Sequence, residues 1–304
     1  MLASADVALA EPVDLDDEAY TAWALGVCRA HGVRVVVVGA RAAALSRAAE
    51  RFRRIGAELI VPPAAGIEAV EDKAAAYAAA AAIGVPVPPH EVVRDGAGLL
   101  AAWDRLVVEG EVCVKPVRGA GGDGFRVLHD EAPSGLDLQG PPLPRLHVRT
   151  AAEALDAAPE SGPLLVMPVL PGPEVSVDCL ADRDGEPLIA VARRKDEHHR
   201  LVVDDPAAVA IAQDLVRLHA LAYLSNTQVR YWRRPGVDAV ARPYLLETNS
   251  RPAAGSYQSA AVGVDLITAA VRLALGLPLG LPVRVPEADL IVLPAVLTRA
   301  HAGA

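Results

Sequence analysis

Apolar and polar positions change period several times along this chain, and each change marks an element. Asp16 to Ala30 has helical spacing, and the apolar run across Val33 to Val38 predicts a buried strand. Arg41 to Ile55 reads as helix with its arginines on the solvent side, and Glu58 to Val61 as a second strand. Strand, helix and strand in that order imply a parallel βαβ unit. Pro62-Pro63 breaks the chain. Asp72 then caps an Ala-rich helix over Lys73 to Ile83, ended by Gly84 and the prolines that follow. Leu99 to Val108 predicts a helix, residues 130–147 a long Pro- and Gly-rich surface loop, and Thr150 to Ala158 a short helix. Leu164 to Met167 and Glu174 to Ala181 read as strands. Asp182 to Gly185 turns the chain into a strand over Pro187 to Arg194. Pro206 to Tyr223 predicts a long helix. Thr227 to Trp232 and Tyr244 to Thr248 are strands joined by the Pro235-Gly236 loop, and Val264 to Leu275 is a last helix. Hairpins with helices on one side make the class α+β.

Between two short apolar runs lies Lys115-Pro116-Val117-Arg118-Gly119-Ala120-Gly121-Gly122-Asp123-Gly124. Glycines let backbone N–H groups turn toward a phosphate, and Lys115 supplies positive charge at the mouth of the loop. A dinucleotide fingerprint needs a helix after its glycines, but Phe125 to Leu128 is short and β-rich. A P-loop needs Gly-Lys-Ser or Gly-Lys-Thr, which is absent. A phosphate-binding hairpin remains. The lone Gly39 after the first strand is a weak Rossmann signal.

Composition narrows the class. The chain has 304 residues, 52% of them hydrophobic, enough for about two domains with substantial cores. Its net charge of −9 argues against a general nucleic-acid binder. Cys28, Cys113 and Cys179 form no CxxC pair and sit in apolar stretches, as buried reduced thiols do. The acidic N-terminus has no signal-peptide pattern, and no apolar run reaches membrane-spanning length. The expected location is cytoplasmic.

Four separated pieces carry one chemistry. They are Lys115 with its glycine loop, and Glu71-Asp72-Lys73 with Gly84-Val85-Pro86-Val87-Pro88. The others are Leu165-Val166-Met167-Pro168-Val169-Leu170-Pro171-Gly172-Pro173-Glu174, and Tyr244-Leu245-Leu246-Glu247-Thr248-Asn249-Ser250-Arg251-Pro252. In this order they resemble the ATP-grasp superfamily, the branch of carbamoyl-phosphate synthetase, biotin carboxylase and D-alanine–D-alanine ligase, over roughly residues 70–275. The resemblance implies two α+β lobes clasping ATP behind a shortened N-terminal α/β domain, with divisions at 1–66, 67–165 and 166–304. Tyr20 to Pro63 is similar to a trimmed N-terminal domain of bacterial ATP-grasp proteins, including some encoded with tellurium-resistance clusters.

The resemblance also implies roles. The carbonyl of Pro168 and the N–H of Leu170, either side of Val169, would hold adenine, and Glu174 the ribose. Met167 stands where an acid or Gln is common. Lys73 and Lys115 would contact ATP phosphates, with Gly119, Gly121, Gly122 and Gly124 as a lid. Glu247 and Asn249, two apart on a strand, share a face, and their oxygens suit Mg²⁺ or, as an alternative, Mn²⁺. Gln228, in Asn226-Thr227-Gln228, looks like a third metal ligand. Arg251 would stabilise the transferring phosphoryl group beside Lys115, with Arg194 from the basic run Arg193-Arg194-Lys195. Arg251, Ser256 and Tyr257 are candidates for substrate contact, and His198-His199 for a polar loop. The implied activity is an ATP- and Mg²⁺-dependent carboxylate–amine ligase acting through an acyl phosphate. Its partners would be a small carboxylate and an amine, with no nucleic acid and no membrane, and a homodimer as one assembly option. Rival readings are an ATP-binding regulatory protein and a bicarbonate-activating component needing a partner.

Overall fold

Aspartates punctuate the helices. Five helices start behind an Asp (16, 72, 95, 205 and 265) whose carboxylate accepts a backbone N–H three residues on. Each such cap stabilises its helix by about 1 kcal/mol. The computed structural model describes residues 6–119, 122–131, 145–196, 199–282 and 284–291. The chain begins with α1 (Asp17–His31), β1 (Val35–Val37), α2 (Ala42–Arg47), α3 (Ala49–Arg53) and β2 (Glu58–Ile60). Then come α4 (Ala64–Glu71), α5 (Lys73–Ala82), β3 (Glu91–Val93), α6 (Gly96–Leu106), β4 (Val112–Pro116) and β5 (Arg126–His129). β6 (Arg145–His147), α7 (Val148–Ala157), β7 (Leu164–Pro168), β8 (Glu174–Ala181), β9 (Pro187–Asp196) and β10 (His199–Val203) follow. The last elements are α8 (Pro206–Leu218), β11 (Tyr223–Trp232), β12 (Arg242–Asn249), α9 (Leu266–Ala274) and β13 (Ala288–Ile291).

The strands form three sheets. β1 and β2 pair in parallel, as the βαβ reading requires. A five-stranded sheet has the order β3-β7-β4-β5-β6, and α6 and α7 cover one face through Leu99, Trp103, Val148 and Leu155. A six-stranded antiparallel sheet has the order β12-β11-β8-β9-β10-β13. On β8 the inward alternation is clean: Val175, Val177, Cys179 and Ala181 join Ile211, Ala212 and Leu215 of α8 in one core. That core continues through Tyr77, Cys113, Leu165 and Met167, so apolar packing joins both larger sheets. Glu174, Ser176 and Asp178 occupy the alternate positions of β8, as a period of two demands. The three cysteines are free and buried.

Several elements differ from the pattern-based reading. Arg41 to Ile55 is two short helices, because Ala48 (φ −92°, ψ 4°) leaves helical geometry between them. The helix expected to reach Tyr223 stops at Leu218. A tight turn at Ala220 (φ 48°) lets Tyr223 begin β11. α4, β3, β10 and β13 carry no strong periodic signal, being short segments fixed by neighbours. His199 lies in β10 rather than a loop and bonds Asp289 at 2.8 Å; His198 lies outside the described residues. Of the expected loop over 130–147, Arg145–His147 is strand β6, and 132–144 lie outside the described residues. β7 runs through the expected 165/166 division, since its pairing with β4 extends to Pro168. Among the described residues no helix is long and apolar enough to cross a membrane.

Candidate active site

The glycine segment is a hairpin: β4 and β5 pair with Val112 opposite Leu128 and Val114 opposite Arg126. Gly119 (φ 139°) and Gly124 (φ 73°) adopt dihedrals that side chains disfavour. At Gly124 a Cβ would also meet Pro116 at 2.7 Å. Gly121 lies outside the described residues. The hairpin closes one side of a cleft of about 860 Å³ between the two larger sheets.

 Lys115, Gly119, Gly122, Met167, Pro168, Val169, Leu170, Glu174, Gln228 and Glu247 all line this cleft, as does Lys73.

Two lysines stand at its inner end. Lys73, the first residue of α5, donates to the Gly119 carbonyl at 2.6 Å. Burial lowers its pKa, against the opposing pull of Glu247. Lys115 is 8% exposed. Its Nζ donates to the Tyr77 hydroxyl at 3.2 Å and the Leu246 carbonyl at 3.1 Å. Burial pushes its pKa down to about 8, with Glu247 pulling the other way. A β-bulge explains the Leu246 contact. Gln228 pairs with Glu247 while Val229 pairs with Leu245, so Leu246 is the extra residue. Its carbonyl also accepts from Tyr77 Oη at 2.7 Å.

Gln228 and Glu247 are register partners on neighbouring strands, and Asn249 Nδ2 donates to Glu247 Oε1 at 3.1 Å. Gln228 Nε2 donates to Asn226 Oδ1 at 3.4 Å. These bonds use the amide nitrogens and leave amide oxygens for a cation. One carboxylate and two amide oxygens form a hard donor set that fits Mg²⁺. Its single negative charge leaves most of the neutralisation to phosphate oxygens.

Arg194 is not brought to the cleft. Alternation on β9 puts Lys195 on the cleft wall, while Arg194 lines a separate surface cavity with Asp204, Asp205 and Tyr231. Arg193 is buried, its Nε 2.6 Å from Asp178 Oδ2. Ser256 is buried too and donates to Asp178 Oδ1 at 2.6 Å, so it braces the loop after β12 rather than facing a cavity. Tyr257 is exposed and does not line the cleft. Sequence reasoning missed Arg230, which lines the cleft and donates to the Leu170 carbonyl at 2.9 Å. Its spacing of two from Gln228 was the available signal. Tyr77 was hidden in an Ala-rich helix.

A second cavity of about 380 Å³ opens beyond the lysines. Arg251, Asn249 and Glu247 line one wall, and Gly39, Arg41 and Arg47 of the N-terminal segment line another. Lys73, Gly119 and Glu247 line both cavities, so the two meet at this neck.

This fold and site define the class: the chain has the ATP-grasp fold. More particularly, residues 160–293 match the model of the family described as ATP-grasp in the biosynthetic pathway with Ter operon. Among solved structures, the chain is similar to biotin carboxylase from Campylobacter jejuni, at 16% identity and TM-score 0.60, over 88% of this chain and 59% of that one. It is similar to N5-carboxyaminoimidazole ribonucleotide synthetase from Thermus thermophilus, at 20% identity and TM-score 0.57, over 90% of this chain and 69% of that one. L-amino acid ligase from Bacillus licheniformis matches at 15% identity and TM-score 0.56, over 87% of this chain and 61% of that one. The chain thus spans under two thirds of the carboxylase and of the amino acid ligase. At these identities the likeness is one of fold.

Proposed function

We propose that the chain is an ATP- and Mg²⁺-dependent carboxylate–amine ligase that works through an acyl phosphate and releases ADP and phosphate. The observation that carries this reading is the neck. A cleft with volume enough for a nucleotide meets a smaller cavity at Lys73, Gly119 and Glu247, which is where a phosphoryl group would pass from one ligand to the other. Adenine lies against Met167 and the Pro168–Leu170 hinge, the ribose at Glu174, and the phosphates beside Lys73 and Lys115. The glycine hairpin acts as a lid that excludes water. Glu247, Asn249 and Gln228 would hold Mg²⁺, which supplies neutralisation of phosphate charge when bound.

The chain's residues position and neutralise rather than react covalently. An acid in the smaller cavity presents its carboxylate oxygen to the terminal phosphorus. A P–O bond forms, the bond to the bridging oxygen breaks, and ADP leaves. Arg251 stabilises the transferring group through its planar fork. An amine then attacks the acyl carbon, phosphate leaves, and the amine proton passes to solvent.

The test is product analysis with purified protein, MgATP, and panels of acids and amines. ADP and phosphate released only when both substrates are present is the expected result. AMP and pyrophosphate would overturn the mechanism. Turnover on bicarbonate alone would assign a carboxylating role, and binding without turnover a regulatory one. Glu247→Gln should lower turnover about 100-fold or more while the protein remains folded.

A further inference from the structure

The smaller cavity differs in charge from the rest of the molecule. Its lining carries five cations, namely Arg41, Arg47, Lys73, Arg118 and Arg251, against Asp17, Glu71 and Glu247. The local balance is 5 − 3 = +2 in a chain of net charge −9. Lys73 and Glu247 belong to the neck. The arginines remain, on walls supplied by different parts of the chain.

Arg41 is the most constrained of them. It follows β1 at φ 50°, a left-handed conformation uncommon for a residue with a long side chain. Its guanidinium is held by Asp17 Oδ1 at 3.1 Å and the Val13 carbonyl at 3.4 Å, and it stacks 4.9 Å from the Tyr20 ring centroid. The side chain is 26% exposed, whereas that of Asp17 is 67% exposed. An exposed carboxylate is a weak, screened partner that a better-placed anion can replace. The fixed fork is therefore ready to receive a carboxylate or phosphate.

We infer that the acceptor acid carries two anionic groups: the carboxylate that is phosphorylated at the neck, and a second carboxylate or phosphate held by Arg41. This rests on the ligase reading for the first group only. Arg41 is then a specificity-determining residue contributed by the N-terminal segment. The shortened segment completes the acceptor pocket rather than leaving it open.

The experiment measures binding and turnover separately. Succinate and 3-phosphoglycerate are titrated calorimetrically into the MgADP-loaded protein, with butyrate and glycerate as their single-anion counterparts, and the same acids are then assayed with a panel of amines for ADP release. The variant is Arg41→Asn, because Asn tolerates the left-handed conformation and keeps the turn. The expected result is tighter binding of a dianion than of its counterpart, weakened about ten- to a hundredfold in Arg41→Asn, with the single-anion acids unaffected. Preference for 3-phosphoglycerate over succinate makes the second group a phosphate; the reverse makes it a carboxylate. Equal binding of paired acids, no binding of either dianion, or equal loss for all acids in Arg41→Asn overturns the inference. Dianion binding without ADP release from any acid–amine pair sinks the ligase reading and leaves the dianion site standing.

Discussion

Lys115→Met removes a buried charge whose cost can be worked from the structure. Burial takes the Lys115 pKa from its ordinary 10.5 to about 8. At pH 7 the folded protein must keep an ammonium that the unfolded chain holds more easily, a difference of roughly 3 kcal/mol. The folded pKa lies below the unfolded one, so between pH 8 and 10.5 the unfolded chain binds more protons. Wild-type stability therefore rises through that window and is lost again as pH falls through 8. Methionine has no proton to bind and fills similar space. The Leu246 carbonyl keeps its bond from Tyr77, so the substitution orphans no acceptor there. The variant should be more stable than wild type by up to about 3 kcal/mol at pH 7, with the gap shrinking to about 1 kcal/mol at pH 10. Urea unfolding at both pH values measures this. The variant should also lose most of the thermal stabilisation that MgATP gives wild type. A variant less stable than wild type at pH 7, or a gap independent of pH, would refute the reasoning.

Two further substitutions probe the supports of the site. Arg193→Met leaves Asp178 Oδ2 and Gln258 Oε1 without the donor they share, while Asp178 Oδ1 keeps Ser256 and Asn226. Breaking this buried pair should cost about 3–5 kcal/mol in denaturant unfolding, and a loss under ~1 kcal/mol would show that the pair contributes little. Gly172→Ala would place a Cβ 1.9 Å from the Tyr231 carbonyl oxygen. The hinge must shift, so about 1–3 kcal/mol of stability should be lost, together with nucleotide affinity; an unchanged melting temperature with MgATP present would contradict this.

The order of motifs was legible along the chain because each piece is local. Asp72 caps the helix that carries Lys73, the glycines turn the β4–β5 hairpin, and Glu247 and Asn249 share a strand face. Period alone could have placed Lys195 rather than Arg194 on the cleft, since alternation on β9 separates neighbours. It could have offered Arg230 for the same reason. The Leu246 carbonyl, by contrast, was not readable, because a bulge is set by the register of two strands rather than by either sequence.

Local spacing thus determined the hairpin, the hinge and the metal-ligand strand, each held by dihedral preference and strand alternation within a few residues. Tertiary structure decided what those pieces enclose. Packing between the two larger sheets buries Lys115, and docking of the N-terminal segment brings Arg41 to the same cavity as Arg251. Such placements depend on contacts between positions more than a hundred residues apart, which no local pattern encodes.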